Sequence, residues 1–215
     1  MKEFAVIGLG NFGATVAREL KGLNCQVTAI DSDETAVQSI QDDMVAIVAD
    51  ATQRAFLEKI EVEKFDCFVV STGQDSHASI LITLHLKELK AKRIIVKANS
   101  DDHARILTKV GASEAIIPEK QMAFRLANSM AQSNLLDFLP LTGDYFVVEL
   151  QPPRNFIGKT LHNLDVRAKF NVQIIAVRDL EAGTFDHIPG GDYMITENDL
   201  LLVIGTNEDI EKMKD

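Results

Sequence analysis

Three glycines near the start of the chain have the spacing of a phosphate-binding turn. Gly8, Gly10 and Gly13 form a GxGxxG pattern that follows an apolar run and precedes a helical pattern. Such a first glycine permits a tight turn, the second lets the backbone approach a phosphate, and the third lets the helix pack closely on the strand. The free N–H groups of the helix start then favour an anion. We therefore expect phosphates on this turn, with Asn11 and Phe12 beside them; the alternative is that the glycines serve packing alone.

A carboxylate follows at the place where a ribose would lie. Asp31 ends the next apolar run, about 20 residues beyond the glycines, where an acidic residue bonds ribose hydroxyls. It would also repel a 2′-phosphate, which disfavours NADP. Asp50 follows the third run, where it would border an adenine. The other candidate contact residues follow Asp31 or lie at later run ends: Ser32, Ala51, Thr52, Ser71, Thr72, Gly73 and Lys97.

Short apolar runs alternate with helical patterns in the first part of the chain. Strands are predicted at Phe4–Gly8, Gln26–Asp31, Met44–Ala49, Cys67–Ser71, Arg93–Ala98 and Glu114–Ile117. Helices are predicted at Asn11–Leu23, Asp33–Gln41, Gln53–Ile60, Asp75–Leu89 and Asp101–Val110. This alternation predicts an α/β fold with βαβ units and a doubly wound parallel Rossmann sheet, whose carboxyl edge collects the candidate residues.

The pattern changes after Pro118. Lys120–Leu139 is predicted to be one long crossover helix, with Met122, Leu126 and Met130 on one stripe. Apolar residues on neighbouring faces require cover from more than one side. The helix either bridges two domains or crosses into a second subunit, and we favour the second interpretation. A linker is expected at Pro140–Asp144.

The remaining segment reads as a small α+β module. Strands are predicted at Tyr145–Leu150, Val172–Arg178 and Leu200–Gly205, helices at Thr160–Lys169 and Glu208–Lys214, and a loop at Glu181–Asp186. We thus expect a nucleotide-binding domain at 1–119, a crossover helix and linker at 120–142, and a C-terminal domain at 143–215. A module this small often gains stability by dimerising.

Composition excludes several classes of protein. The formal net charge of −10 over 215 residues disfavours nucleic-acid partners and anionic membrane surfaces. No run approaches the ~18 apolar residues of a membrane helix, and no leader precedes the first strand. The two cysteines, Cys25 and Cys67, fit a reducing compartment. We expect a soluble cytoplasmic protein.

Motifs for catalysis are missing from the sequence. The five histidines fit no HExxH spacing, no GxSxG occurs, and neither tyrosine has a lysine four residues later. We therefore expect a protein that binds rather than catalyses. The rival is a small NAD-dependent oxidoreductase. A redox-sensing repressor would need a basic DNA-binding segment, which is not found.

Six stretches together resemble one family. They are Phe4–Gly10, Val48–Thr52, Ile116–Lys120, Leu164–Lys169, Ile174–Val177 and Asn198–Gly205. In this order they resemble RCK proteins (regulators of potassium conductance) of the KtrA/TrkA type, cytosolic gating subunits of bacterial potassium uptake. The resemblance covers nearly the whole chain and is more specific than GxGxxG.

The resemblance implies a homo-oligomeric ring, commonly an octamer, docked on a membrane potassium-transporting subunit of the KtrB or TrkH type. It places the protein in the cytoplasm, peripheral to the inner face of the membrane. ATP and ADP change the shape of the ring in such proteins, and NAD(H) is the alternative ligand. The glutamate that matches Glu119 can help to hold Mg²⁺ or another divalent cation near the nucleotide.

Two further expectations rest on the resemblance. Family members often carry Arg where this chain has Asn11, which weakens the case for selective ATP binding and favours NAD(H) or AMP-type ligands. Some also bind cyclic di-AMP between paired C-terminal modules. Here Arg167 would pair with a phosphate, and Ile174, His187 and Pro189 would pack on adenine. The alternative is an ordinary dimer interface.

Overall fold

The computed structural model describes residues 1–131, 135–141 and 144–214. The chain forms two compact units, Met1–Pro118 and Glu119–Asp215. In the described residues, none of the helices has the length and apolarity needed to cross a bilayer.

The first unit is built on a parallel sheet of six strands. They are β1 (Glu3–Ile7), β2 (Gln26–Asp31), β3 (Val45–Val48), β4 (Cys67–Val70), β5 (Ile94–Lys97) and β6 (Glu114–Ile116). Their order is β3-β2-β1-β4-β5-β6, and every pairing is parallel. The predicted doubly wound sheet is confirmed. The chain order reverses between β1 and β4, which opens a crevice at the carboxyl edge.

Helices cover both faces of this sheet. They are α1 (Asn11–Gly22), α2 (Glu34–Gln38), α3 (Arg54–Lys59), α4 (Ser76–Glu88) and α5 (Asp101–Val110). One core contains Ala17 and Val37 from α1 and α2, and the other contains Leu57, Leu86 and Leu107 from α3, α4 and α5. All four residues of β4 are buried, as expected for a strand covered on both faces.

The second unit begins with a helix that is shorter than predicted. This helix, α6, spans Pro118–Ala131, and Leu135–Pro140 forms strand β7. The prediction of a helix to Leu139 is therefore wrong. A short run of bulky apolar residues fits a strand as well as a helix, and here the ladder with the next strand decides. Residues 142–143 of the expected linker lie outside the described residues.

The rest of the second unit is an antiparallel sheet with three short helices. Its further elements are β8 (Tyr145–Leu150), α7 (Leu161–Leu164), α8 (Val166–Phe170), β9 (Gln173–Asp179), β10 (Phe185–His187), β11 (Asp199–Thr206) and α9 (Asn207–Lys214). The strand order is β10-β9-β11-β8-β7. The small α+β module is confirmed. The predicted loop Glu181–Asp186 runs into β10, because Phe185 pairs with Arg178 across a hairpin.

Candidate functional site

A cavity of about 700 Å³ opens at the carboxyl edge of the parallel sheet. This volume is in the usual range for small-molecule sites. Most of the predicted contact residues line it: Gly8, Gly10, Asp31, Ser32, Asp50, Ala51, Thr52, Ser71, Thr72 and Gly73. The parallel sheet thus brings together residues from four strand ends, as the sequence predicted.

The three glycines of the turn have different surroundings. Gly8 has φ +91°, and a Cβ there would lie 2.0 Å from the Ser71 carbonyl oxygen. A Cβ on Gly13 would lie 1.8 Å from the Gly8 carbonyl oxygen. A Cβ on Gly10, by contrast, would meet nothing within 4 Å. Gly8 and Gly13 are therefore needed by the fold, whereas Gly10 keeps space open beside the backbone.

This open space lies at the start of α1. Gly10 is the N-cap of α1 and supplies no side-chain hydrogen bond, and the first turn contains no acidic residue. Helices α2 and α5 differ, since Asp33 and Ser100 accept a hydrogen bond from a backbone N–H of their first turns. The N–H groups of α1 and the positive end of its dipole are thus left for an anion, such as a phosphate.

Asp31 connects the ribose position to the glycine turn. Its Oδ2 accepts a hydrogen bond of 2.6 Å from the Leu9 backbone N–H, and its Oδ1 accepts one of 2.9 Å from that of Asp33. Each carboxylate oxygen retains acceptor capacity for a hydroxyl. One side chain can therefore fix the turn and bind a sugar diol at once.

Asp50 is held in place beyond β3. Its Oδ1 accepts from the Thr52 hydroxyl at 2.6 Å and from the Thr52 backbone N–H at 2.9 Å, and its Oδ2 accepts from Gln53 Nε2 at 3.1 Å. These hydrogen bonds, first the one from the Thr52 hydroxyl, lower the pKa of the Asp50 carboxyl. The cavity therefore keeps a fixed negative charge at this end.

Helix α4 supplies a further wall of the cavity, whose residues no sequence motif indicated. Asp75, His77, Ala78, Leu81 and Ile82 all line the cavity. The helix itself was predicted, at Asp75–Leu89, but none of its residues was named as a candidate site residue. The predicted topology could have indicated these residues, because α4 follows β4 at the switch point of the sheet, where ligands bind.

The other residues that the sequence predicted for this site are not among the residues that line the cavity. Gly13 is buried against the turn, and Asn11 is exposed at the start of α1. Lys97 Nζ lies 5.8 Å from the centroid of the Phe12 ring, a cation–π distance. Glu119 is exposed in the first turn of α6. The described residues contain no group of three or more His, Cys, Asp or Glu side chains that could hold a metal ion.

The four residues named for cyclic di-AMP lie in the second unit. Arg167 is exposed on α8, and His187 is exposed on β10 with its ring 4.5 Å from that of Phe185. Pro189 is half-buried. Ile174 has an exposed fraction of 4% and belongs to the hydrophobic core, so its side chain does not face solvent in the single chain.

Two protein-family models match most of the chain. Residues 4–118 match the TrkA-N domain, and residues 145–215 match the TrkA-C domain. Ktr system potassium uptake proteins C and A of Bacillus subtilis are 36% and 35% identical over 99% of this chain and 96% of each relative. Protein A of Vibrio alginolyticus is 34% identical over 96% of this chain and 94% of its own.

Solved structures show the same fold. The GsuK channel bound to NAD superposes with a TM-score of 0.70 at 19% identity, covering 100% of this chain and 39% of the channel chain. The GsuK RCK domain gives 0.67 at 18% identity, covering 99% and 47%. GsuK bound to ADP gives 0.53 at 23% identity, covering 61% and 35%. Since the domain matches and the relatives agree along the chain, this protein belongs to the family of Ktr system potassium uptake proteins, with a TrkA-N domain followed by a TrkA-C domain.

Proposed function

We propose that this chain is the nucleotide-binding regulatory subunit of a bacterial potassium uptake system, bound to a membrane potassium-transporting subunit at the inner face of the membrane. Its family and the names of its relatives support this role. The observation that carries it is the open space beside Gly10, at the uncapped start of α1 and next to Asp31. A diphosphate fits that chemistry, and the carboxylate fits a ribose.

The charge of the cavity bears on which nucleotide binds. The lining contains three carboxylates, those of Asp31, Asp50 and Asp75, and neither lysine nor arginine is among the lining residues. Phosphates would therefore depend on backbone N–H groups, and a further phosphate would add repulsion. We infer that ADP and NAD(H) bind at least as well as free ATP. Structures of GsuK with NAD and with ADP agree with this chemistry.

A divalent cation would change this balance. Mg²⁺ takes a carboxylate together with phosphate oxygens and waters, so Glu119 and a bound ATP could supply its ligands jointly. We propose Glu119 for this role on the basis of family resemblance. Cyclic di-AMP remains a separate hypothesis, which depends on Arg167, His187 and Pro189, because Ile174 lies in the core.

Helix α6 supports assembly into a homo-oligomer. Met122, Leu126 and Met130 recur at a spacing of four residues and have exposed fractions of 61%, 57% and 76%. An apolar helix stripe exposed to this extent is typical of a protein interface. We propose that a second copy covers it and that such dimers build the ring, with an octamer as the expected size.

In this proposal the chain acts by binding and not by catalysis. A ligand shifts an assembly between two shapes only if it binds them with different affinity. Two nucleotides that share a diphosphate but differ elsewhere would make the same contacts with the turn before α1 and different contacts with the rest of the site. That difference would set the state of the potassium-transporting subunit.

Potassium flux into vesicles that contain the membrane subunit tests the role. Adding the wild-type chain should make the flux depend on whether ATP or ADP is present, by at least several-fold. Asp31→Ala should remove that dependence, since it deletes the ribose acceptor and the bond to Leu9. Asp42→Ala, an exposed carboxylate outside the cavity, should leave it intact. If the potassium flux does not change when the chain is added, or does not depend on the nucleotide, the proposed function is wrong.

A further inference from the structure

A buried polar network lies behind the cavity wall of α4. His103 of α5 has an exposed fraction of 6%, and Ser79 of α4 has 1%. The imidazole Nε2 lies 3.0 Å from the Ser79 hydroxyl, and Nδ1 lies 3.2 Å from the backbone nitrogen of Asn99, just beyond β5. The Ser76 hydroxyl, 3.4 Å from Nδ1, completes the cluster. One side chain thus joins two helices and a strand end.

The hydrogen bonds define the state of the ring. Because the Asn99 N–H donates to Nδ1, the ring proton belongs on Nε2, where it points at the Ser79 hydroxyl. That hydroxyl in turn donates to the Ser76 carbonyl at 2.9 Å. Burial lowers the pKa of His103, which favours the same neutral form. Every polar atom of the His103–Ser79 pair therefore has a partner.

The hydrogen-bond network and the cavity lie on opposite sides of the first turns of α4. Ser76 and Ser79 face α5, whereas His77, Ala78 and Leu81 line the cavity. His103 itself is not among the lining residues. Side-chain atoms in such a buried, fully satisfied cluster have little freedom, so they hold the backbone that carries them. A change at His103 would reach a ligand only by moving this wall.

We propose that His103 is a positioning residue for nucleotide binding, which sets the α4 wall of the cavity through Ser79 without touching the ligand. This inference rests on the proposed function, since it concerns the same nucleotide site. It differs from a purely structural role in one respect. The bond from Nε2 to Ser79 matters for affinity, whereas the bond at Nδ1 matters mainly for the stability of the β5–α5 connection.

Two substitutions at His103 separate the roles of the two ring nitrogens. The amide of His103→Gln can replace the Nε2 donor, and the oxygen of His103→Asn can replace the Nδ1 acceptor. We expect His103→Asn to raise the Kd for ADP and NAD⁺ about five- to tenfold, close to the effect of losing one buried hydrogen bond. His103→Gln should stay within about twofold of wild type. Calorimetric titration of the full chain at pH 8, where the ring is neutral, measures both.

Ser79→Ala is a second test of the same contact, and it does not depend on whether the His103 variants fold. It should weaken binding as much as His103→Asn, and the double variant should be no weaker than either, because both remove the same contact. Thr83→Val is the matched control: it deletes the hydroxyl that donates to the Ser79 carbonyl one turn further along α4. Its affinity should not change.

Thermal midpoints of all variants are measured in parallel. In a merely structural role, affinity would follow the thermal midpoint, so that of His103→Gln and His103→Asn the variant with the lower midpoint would bind more weakly. We expect the opposite order, because His103→Gln loses the Nδ1 bond and keeps the Nε2 donor. Affinity that follows the midpoint, or unchanged affinity in Ser79→Ala, overturns the inference. If the wild-type chain binds neither ADP nor NAD⁺, the proposed function fails first, and this inference falls with it.

Discussion

Gly10 and Gly13 belong to one sequence pattern but have different physical tasks. Gly13 permits α1 to pack on the turn, because any Cβ would lie 1.8 Å from the Gly8 carbonyl oxygen. A Cβ on Gly10 would meet nothing within 4 Å apart from the adjoining residues, and the φ of −63° and ψ of −177° at Gly10 suit any residue. Substitutions at the two positions should therefore separate folding from binding.

Gly13→Ala tests the packing task. We expect it to lower the free energy of unfolding by about 2–3 kcal/mol, since the backbone of the turn must move to admit the methyl group. Urea unfolding followed by circular dichroism measures the change. Gly22→Ala in the same helix is the control, because nothing lies within 4 Å of the added methyl group. A Gly13→Ala variant as stable as the control would show that the turn is not closely packed.

The same residues show how much of the site could be predicted. Fixed spacing after the first strand identified Gly8, Gly10 and Asp31, because the phosphate turn and the ribose carboxylate depend on positions in one βαβ unit. His77 was missed, since a histidine in the first turn of a later helix has no spacing that indicates a ligand. Phe12 and Lys97 were also predicted for the site; they are not among the residues that line the cavity, and Lys97 Nζ lies 5.8 Å from the centroid of the Phe12 ring.

Among the secondary-structure elements, the sequence predicted strands and helices best where the local apolar pattern agrees with the burial of the element in the fold. The fully buried β4 reads as a continuous apolar run and was assigned correctly. The run at Leu135–Leu139 reads equally well as helix, and its strand pairing with β8 depends on a partner further along the chain. Strand β10 has three exposed residues, so no apolar alternation indicated it.

Helix α6 carries the prediction that belongs to this level. Leu126→Lys places a charge in the exposed apolar stripe and should reduce the number of subunits per particle at micromolar concentration, because a buried unpaired ammonium opposes association. Light scattering after size exclusion measures the mass. The far-ultraviolet dichroism should not change, since the Leu126 side chain has an exposed fraction of 57%.

Gln38→Lys is the matched control for this variant. It adds the same charge to an exposed position at the end of α2, where Glu34 lies within hydrogen-bond reach. Its particle mass should equal that of wild type. If Leu126→Lys also keeps the wild-type mass, the α6 stripe is not the subunit contact.

The whole molecule combines a nucleotide domain with a small second module, each matched to its own domain family. The cavity residues all come from the first unit, within Met1–Pro118, whereas the exposed stripe of α6 belongs to the second. The proposed regulator needs both features, because nucleotide binding in the cavity would have to change the state of the homo-oligomer that α6 is proposed to build. The central claim is that an adenine nucleotide occupies the space beside Gly10 in that assembly.

Native mass spectrometry of the intact protein tests this claim most directly, because it reports subunit number and bound nucleotide together. With ADP or NAD⁺ added, the wild-type particle should carry up to one nucleotide per subunit. Gly10→Val, whose side chain would fill the space in front of α1, should keep the subunit number and lose the nucleotide. A Gly10→Val particle that retains the nucleotide, or a wild-type particle that never binds one, would contradict the account.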